Sequence, residues 1–326
     1  MSTALYPLKF NPIYKDKIWG GRKLKSLLNK NFEPLPNCGE SWEISGVKGN
    51  ESVVANGPLK GKSLPELISE YKDMLIGEKV YRTSGNEFPL LIKFLDANED
   101  LSIQVHPNDE QAGVRHNSLG KTEMWYIFQA DDNARLIAGF NRDLSREEYL
   151  EYFTAGRLEE ILNQESVAAG DVFFIPAGRV HTIGKGICIA EIQQTSDITY
   201  RIYDFDRVDD QGKKRELHVE EALDVLDFKS YPEYKSLYTD EPGKPVKLVA
   251  CDYFTTNKII LDRTLERDYT AIDSFVLYIC FEGSFSLVYG DGKTQVLKGE
   301  SVLLPAAIKQ VTLKPASGAS LLEVYI

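Results

Sequence analysis

The chain has 326 residues, 43% hydrophobic and 27% charged, enough to bury a substantial core as one large domain or two smaller ones. Its formal net charge of −11 argues against nonspecific nucleic-acid binding and against a membrane surface, so an anionic ligand would need a local cluster of cations. The N-terminal stretch MSTALYPLKFNPIYKDKIWGG has no uninterrupted apolar run, so neither signal peptide nor anchor is expected. Cys38, Cys188, Cys251 and Cys280 are scattered without a C-x-x-C pair and read as buried thiols in a reducing cytoplasm.

Taken in order, residues 1 to 60 mix short apolar runs with Gly, Pro and Asn, and Ser41-Trp-Glu-Ile-Ser reads as a strand. Ser63 followed by Glu66 is a capping box that opens a helix running to Ile76, with Gly77 as its C-terminal cap. Leu64, Leu67, Ile68, Tyr71 and Leu75 form its apolar stripe. Phe88 to Leu95 is a nearly continuous apolar run, expected to be a buried strand.

The following stretch, LSIQVHPNDEQAGVRHNSLGKTE from Leu101 to Glu123, is the most informative in the chain. Leu-Ser-Ile-Gln-Val-His alternates apolar and polar, so Gln104 and His106 share one strand face with Ser102 one step behind. After a turn-rich segment a second strand begins, and Lys121 and Glu123 share a face there. If the two strands are neighbours in one sheet, an amide oxygen, an imidazole and a carboxylate converge. His181, in Ile175-Pro-Ala-Gly-Arg-Val-His, offers a fourth ligand, and Gln, His, Glu and His suit zinc or a similar divalent ion. His116 and His218 read as a solvated and a capping histidine. Trp19, Trp42 and Trp125 read as core or pocket-wall aromatics.

Downstream, Ser145 with Glu148 opens a second helical stretch reaching Leu162, with Gly156 as a break. Short β runs follow to Gln194, then a charged turn from Asp209 to Arg215 and a short helix around Val219 to Leu226. Residues 229 to 246 form a connector, and 247 to 326 are almost all β. One frame occurs twice. Gly170 to His181 reads G-x5-P-x-G-x2-H, and Gly299 to Gln310 reads G-x5-P-x-A-x2-Q. Gly supplies a tight turn and Pro ends a strand. The repeat points to a duplicated β module in which Gln310 stands where His181 stood.

These residues resemble the cupin superfamily of double-stranded β-helix jelly rolls. Ile18-Trp-Gly-Gly, Glu40-Ser-Trp-Glu, Pro89-Leu-Leu-Ile-Lys-Phe-Leu, Leu101-Ser-Ile-Gln-Val-His-Pro, Gly120-Lys-Thr-Glu-Met-Trp-Tyr, Ile175-Pro-Ala-Gly-Arg-Val-His and Ser196-Asp-Ile-Thr-Tyr-Arg more narrowly resemble the short bacterial type I mannose-6-phosphate isomerases, and they occur in family order. The resemblance implies an all-β fold of two cupin-type jelly rolls with a few helical insertions. It implies a catalytic domain over 1–235 and a metal-free β domain over 236–326. It assigns Gln104, His106, Glu123 and His181 to one zinc ion per chain, and Ser102, Lys121, Glu191, Arg201 and Arg207 to a sugar-phosphate pocket. Within that pocket Arg201, Lys121 and Glu191 are the catalytic candidates, and Ser102 and Arg207 bind substrate. The implied activity is zinc-dependent interconversion of mannose 6-phosphate and fructose 6-phosphate through a cis-enediol. The expected setting is cytoplasmic, without nucleic-acid or membrane partners, as a monomer or a dimer. Two rivals stand beside it: a different cupin metalloenzyme such as an iron oxygenase, and a noncatalytic sugar-binding regulator.

Overall fold

A computed structural model describes residues 4–209 and 211–326. Asp210, in the expected charged turn, and the first three residues lie outside the described part. In chain order the first module comprises β1 (Ile13–Lys15), α1 (Lys23–Leu28), β2 (Glu40–Ile44), α2 (Leu64–Tyr71), α3 (Asp73–Ile76), α4 (Glu78–Ser84), β3 (Leu90–Ala97) and β4 (Ile103–Val105). It continues through α5 (Asp109–His116), β5 (Glu123–Ala130), β6 (Arg135–Phe140), α6 (Arg146–Thr154), β7 (Leu162–Ser166), β8 (Val172–Ile175), β9 (His181–Ile183), β10 (Ile187–Gln194), β11 (Tyr200–Tyr203) and α7 (Val219–Val225). Its strands form two antiparallel sheets, ordered β1-β2-β3-β10-β5-β8 and β11-β4-β9-β6-β7.

The second module is a single sheet of β12 (Pro245–Ala250), β13 (Thr255–Leu261), β14 (Leu265–Asp268), β15 (Val276–Tyr289), β16 (Gly292–Leu297), β17 (Ser301–Leu304) and β18 (Gln310–Tyr325). β15 and β18 pair with register breaks around Cys280–Glu282 and Gly283–Phe285. Such bulges bend a strand, which lets two long strands serve both faces of a rolled sheet. The expectation of an all-β, two-jelly-roll fold with helical insertions holds.

The repeated frame has a structural counterpart. β8 and β17 each begin two residues after the frame glycine and end just before its proline, and β9 and β18 begin at His181 and Gln310. Gly170 and Gly299 both lie at positive φ, 98° and 83°. Side chains alternate across each strand. Accordingly Met124 and Tyr126 of β5, Ala190 and Ile192 of β10, Leu277 and Ile279 of β15, and Leu322 and Val324 of β18 meet in one core between the modules. Helices α1 to α4 contribute Leu28, Leu64, Leu67, Ile68, Leu75 and Val80 to that core, so the two modules share their largest apolar cluster.

The expected helix from Ser63 to Ile76 is broken. Its capping box forms, with Ser63 N–H donating to Glu66 at 2.7 Å, and its apolar stripe is buried. At Lys72 (φ 51°), however, the chain turns into α3. The carbonyls of Met74 and Leu75 accept from Ala307 and Ala306 N–H at 2.9 Å, so docking on the second module overrides helix continuity. Gly77 then sits at φ 92°, where a Cβ would lie 2.4 Å from the Asp273 carbonyl oxygen, and α4, which the periodicity did not announce, follows. Helix α6 starts from the Ser145–Glu148 box and ends before Gly156 (φ 69°), but Leu162 opens strand β7 instead of extending a helix. The turn-rich segment contains helix α5, capped reciprocally by Asn108 and Gln111.

Candidate metal centre and cavity

Gln104 and Glu123 are not neighbours within one sheet. β4 and β9 pair in the five-stranded sheet, with Gln104 in register with His181, whereas Glu123 opens β5 in the six-stranded sheet. The four residues therefore meet across the interior of the barrel. His106 follows β4 directly. His181 Nε2 lies 3.5 Å from Glu123 Oε1, and His106 Nε2 lies 3.8 Å from Glu123 Oε2. The ligand-type atoms of these three residues all lie within 4.8 Å of one another, and all three side chains are buried. Gln104 Nε2 is 3.2 Å from His181 Nε2, and Ser102 Oγ is 3.4 Å from Gln104 Oε1. Turning the Gln104 amide over brings its oxygen to the same cluster.

The surroundings prepare these atoms for a cation. His106 Nδ1 lies 2.8 Å from the Ile198 carbonyl and His181 Nδ1 lies 2.9 Å from that of Arg179. A carbonyl only accepts, so each ring carries its proton on Nδ1 and leaves the Nε2 lone pair facing the cluster. Burial holds His106 well below the ordinary range and pushes His181 down to about 3, so both rings stay neutral. Burial lifts the Glu123 carboxyl to about 7, against the pull of Lys121. Neither Glu123 oxygen receives an aligned hydrogen bond, although Lys121 Nζ sits 2.8 Å from Oε2 and 3.1 Å from His106 Nε2. Two neutral imidazoles and a carboxylate short of donors suit a divalent ion. Trp125 packs edge-on against His181 at 5.3 Å and closes the centre from behind.

Above this cluster lies a cavity of about 400 Å³. Gln104 and Lys121 line it and also touch the histidines below, which joins the two. Lys15, Lys17, Lys93, Lys121, Arg201 and Arg215 give its wall six cations, against Glu40, Glu191 and Asp197. In a chain of net charge −11 this is a local positive field. Ser102 and Glu191 also line the cavity, and Trp19 and Trp42 are wall aromatics.

Glu191 pairs in register with Lys93, and its Oε1 is 2.9 Å from Lys93 Nζ. Burial opposes the Glu191 charge, but Lys93 and Lys121 outweigh it and hold the carboxyl below its usual value. Arg201 donates from Nη1 to the Glu216 carbonyl at 2.8 Å, and its buried Nε has no hydrogen-bond partner.

Arg207 is placed elsewhere. It donates to Asp204 at 2.6 Å and to the Asp100 carbonyl, and it is not among the cavity-lining residues. Arg215, read only as the end of a charged turn, and His218, read as a cap, both line the cavity. Lys93 and Glu40 line it too and are not among the expected site residues. A lysine in the middle of the apolar run Pro89–Leu95 was the available signal for Lys93, since a buried charge needs a partner. His116, expected in solvent, is exposed, and its Nε2 also lies 2.7 Å from the Tyr200 hydroxyl. His218 precedes α7 but makes no side-chain cap.

Comparison with known proteins agrees with this geometry. A family model described as phosphomannose isomerase type I, catalytic domain, matches residues 7–135, and one described as mannose-6-phosphate isomerase, cupin domain, matches 244–322. The mannose-6-phosphate isomerase of Bacillus subtilis is 38% identical over 311 residues, covering 94% of this chain and 96% of that protein. The mannose-6-phosphate isomerase of Streptococcus mutans is 39% identical over 307 residues, 93% of each. The crystal structure of the mannose 6-phosphate isomerase from Bacillus subtilis superposes with a TM-score of 0.89 at 35% identity, over 98% of this chain and 99% of that one. With such identity across nearly the full length of both partners, and a His–Glu–His cluster beneath a basic cavity, the chain belongs to the type I phosphomannose isomerase family.

Proposed function

We propose that this chain interconverts mannose 6-phosphate and fructose 6-phosphate, using one zinc ion per chain held by Gln104, His106, Glu123 and His181. The observation that carries the reading is the continuity between the buried cluster and the basic cavity, made by Gln104 and Lys121. A sugar phosphate needs local positive charge for its dianion and an electrophilic end for its carbonyl. Bound zinc supplies Lewis acidity and orientation at the cavity floor.

The chain's own residues supply the rest. Aldose–ketose isomerisation moves one proton between adjacent carbons through a cis-enediol, so a base must reach both C1 and C2. Glu191 is the base in this reading, because Lys93 and Lys121 keep its buried carboxyl ionised. Lys121, which reaches from the cavity to Glu123 and His106, stabilises negative charge developing on O1 and O2. Arg201 orients the enediolate or phosphate with the guanidinium edge left free beyond its bond to Glu216. Ser102, beside Gln104, offers its hydroxyl to the sugar. The enzyme acts in the cytoplasm. Residues 1–235 form the catalytic domain and 236–326 its metal-free companion, joined through the core they share.

The test is turnover of mannose 6-phosphate to fructose 6-phosphate by purified protein, before and after chelation and with zinc added back. Chelator-sensitive turnover that zinc restores supports the whole reading. A folded, zinc-loaded protein without turnover defeats the assigned activity, and undiminished turnover after complete metal removal defeats the zinc requirement.

A further inference from the structure

Resting on the activity just proposed, we infer that His218 is a substrate-contacting residue, its Nε2–H donating to an oxygen of the bound sugar phosphate. His218 is the only histidine among the residues that line the cavity. Two backbone contacts fix where it stands. Its own N–H donates to the Arg201 carbonyl at 2.7 Å, and the Arg201 N–H donates to His218 Nδ1 at 3.3 Å. A ring nitrogen that accepts a hydrogen bond carries no proton, so the neutral ring bears its proton on Nε2. With Nδ1 engaged at the back by β11, Nε2 is the nitrogen left for a ligand.

The neighbouring residues make this a built wall. Glu216, Leu217 and His218 run beside β11, with the Glu216 carbonyl holding Arg201 Nη1 at 2.8 Å. Arg215, which starts this strap, donates from Nε to Asp204 at 2.8 Å and also lines the cavity. Arg215 Nη2 also bonds Asp204, so the strap brings an imidazole and a guanidinium already paired through Nε and Nη2 to the wall beside Arg201, whose buried Nε lacks an acceptor. Arg207, the residue expected in this role, is spent on Asp204 and Asp100. Tyr200 stands beside the His218 ring, their centroids 6.2 Å apart.

Steady-state kinetics and melting temperature on three variants test the idea. Asparagine can keep an acceptor for the Arg201 N–H but shortens the reach, whereas glutamine places an amide donor near the position of Nε2. His218→Asn is therefore expected to melt like the wild type and to raise KM for mannose 6-phosphate about tenfold, the loss of one good hydrogen bond. His218→Ala is expected to raise KM at least as much, and His218→Gln to recover part of the loss even if it melts lower. Wild-type KM in His218→Asn would mean that the ring only braces Arg201, and would overturn the inference. Equal kcat losses in all three variants with unchanged KM would overturn it too. These results are read only against a wild type that turns over mannose 6-phosphate, so failure of the activity itself is seen separately and first.

Discussion

Glu191 and Glu323 occupy the same place in the two modules. Glu191 is in register with Trp125 on one side and Lys93 on the other; Glu323 is in register with Tyr278 and Asn257. Glu123 faces Ile175 across β5 and β8 just as Val276 faces Leu304 across β15 and β17. The modules part company at the strand that begins with His181 in one and Gln310 in the other. His181 and Gln104 turn into the barrel, but Gln310 and its partner Asp268 are exposed, and Val311 and Arg267 take the inward positions. A shift of one residue along a strand inverts every side chain on it. The second barrel therefore fills its centre with Arg267, Tyr269 and Val311. Arg267 holds Glu323 at 2.8 and 3.0 Å, Asn257 donates to it at 2.8 Å, and the Tyr269 hydroxyl bonds both Glu323 and Tyr278. Both equivalent carboxylates are balanced, Glu323 by Arg267 and Glu191 by Lys93. Glu123, which has apolar Val276 as its counterpart, is an additional buried carboxylate, short of aligned donors beside two neutral imidazoles, and that shortage is what a metal would fill.

The strongest way to break this comparison is to remove a ligand. His181→Ala is expected to lower bound zinc, proposed at one ion per chain, to near zero by elemental analysis and to cut turnover at least about a hundredfold. Val311→Ala, its inward counterpart, is expected to change neither per folded molecule. Full zinc occupancy in His181→Ala would reject the ligand set.

Next comes the guanidinium. Arg267→Met strands Glu323 in a dry interior and should cost about 3–5 kcal/mol in urea unfolding, with most of it regained in Arg267→Met/Glu323→Leu. A single variant as stable as the wild type would show that the network does not hold the second barrel together.

The first barrel has an acid-sensitive counterpart in Glu40, which lies 3.2 Å from Lys17 and 3.9 Å from Lys93. Burial opposes its charge, but Lys93 and Lys17 outweigh burial and bring it down to about 2 from 4.5. A folded pKa below the unfolded one means that this contribution is complete above about pH 4.5 and disappears as pH falls towards 2, amounting to about 3 kcal/mol at most. Glu40→Gln should flatten that part of the acid unfolding curve. An unchanged curve would remove Glu40 from the acid response.

The smallest effect is expected at Arg207. Arg207→Gln should change KM less than about threefold, because the side chain lies off the cavity wall, while Arg215→Gln should change it more, because Arg215 lines the cavity although it too pairs with Asp204. The reverse order would restore Arg207 to the substrate wall.

Much of this was legible in the chain. The Ser63–Glu66 and Ser145–Glu148 boxes placed two helix starts, and alternation put Gln104 with His106 and Lys121 with Glu123. The repeated G-x5-P frame marked a tight turn and a strand end in each module. These signals are local, carried by side chains within a few residues of each other. Helix α5 was within reach through Asn108 and Gln111, a capping box obscured by its polar sequence.

What the sequence by itself determined is the set of candidate ligand types, the alternation within each strand and the duplicated frame, because capping and two-residue alternation depend only on near neighbours. Tertiary structure alone decided the rest. Closure of the barrel brought Glu123 across to His106 and His181 from the opposite sheet. Docking on the second module broke the helix at Lys72. The path of the strap from Arg215 to His218 chose which cations face the cavity. Gln310 and His181 sit in the same sequence frame yet point opposite ways, because the facing of a strand is set by how the loop before it enters the sheet and by what the barrel can bury.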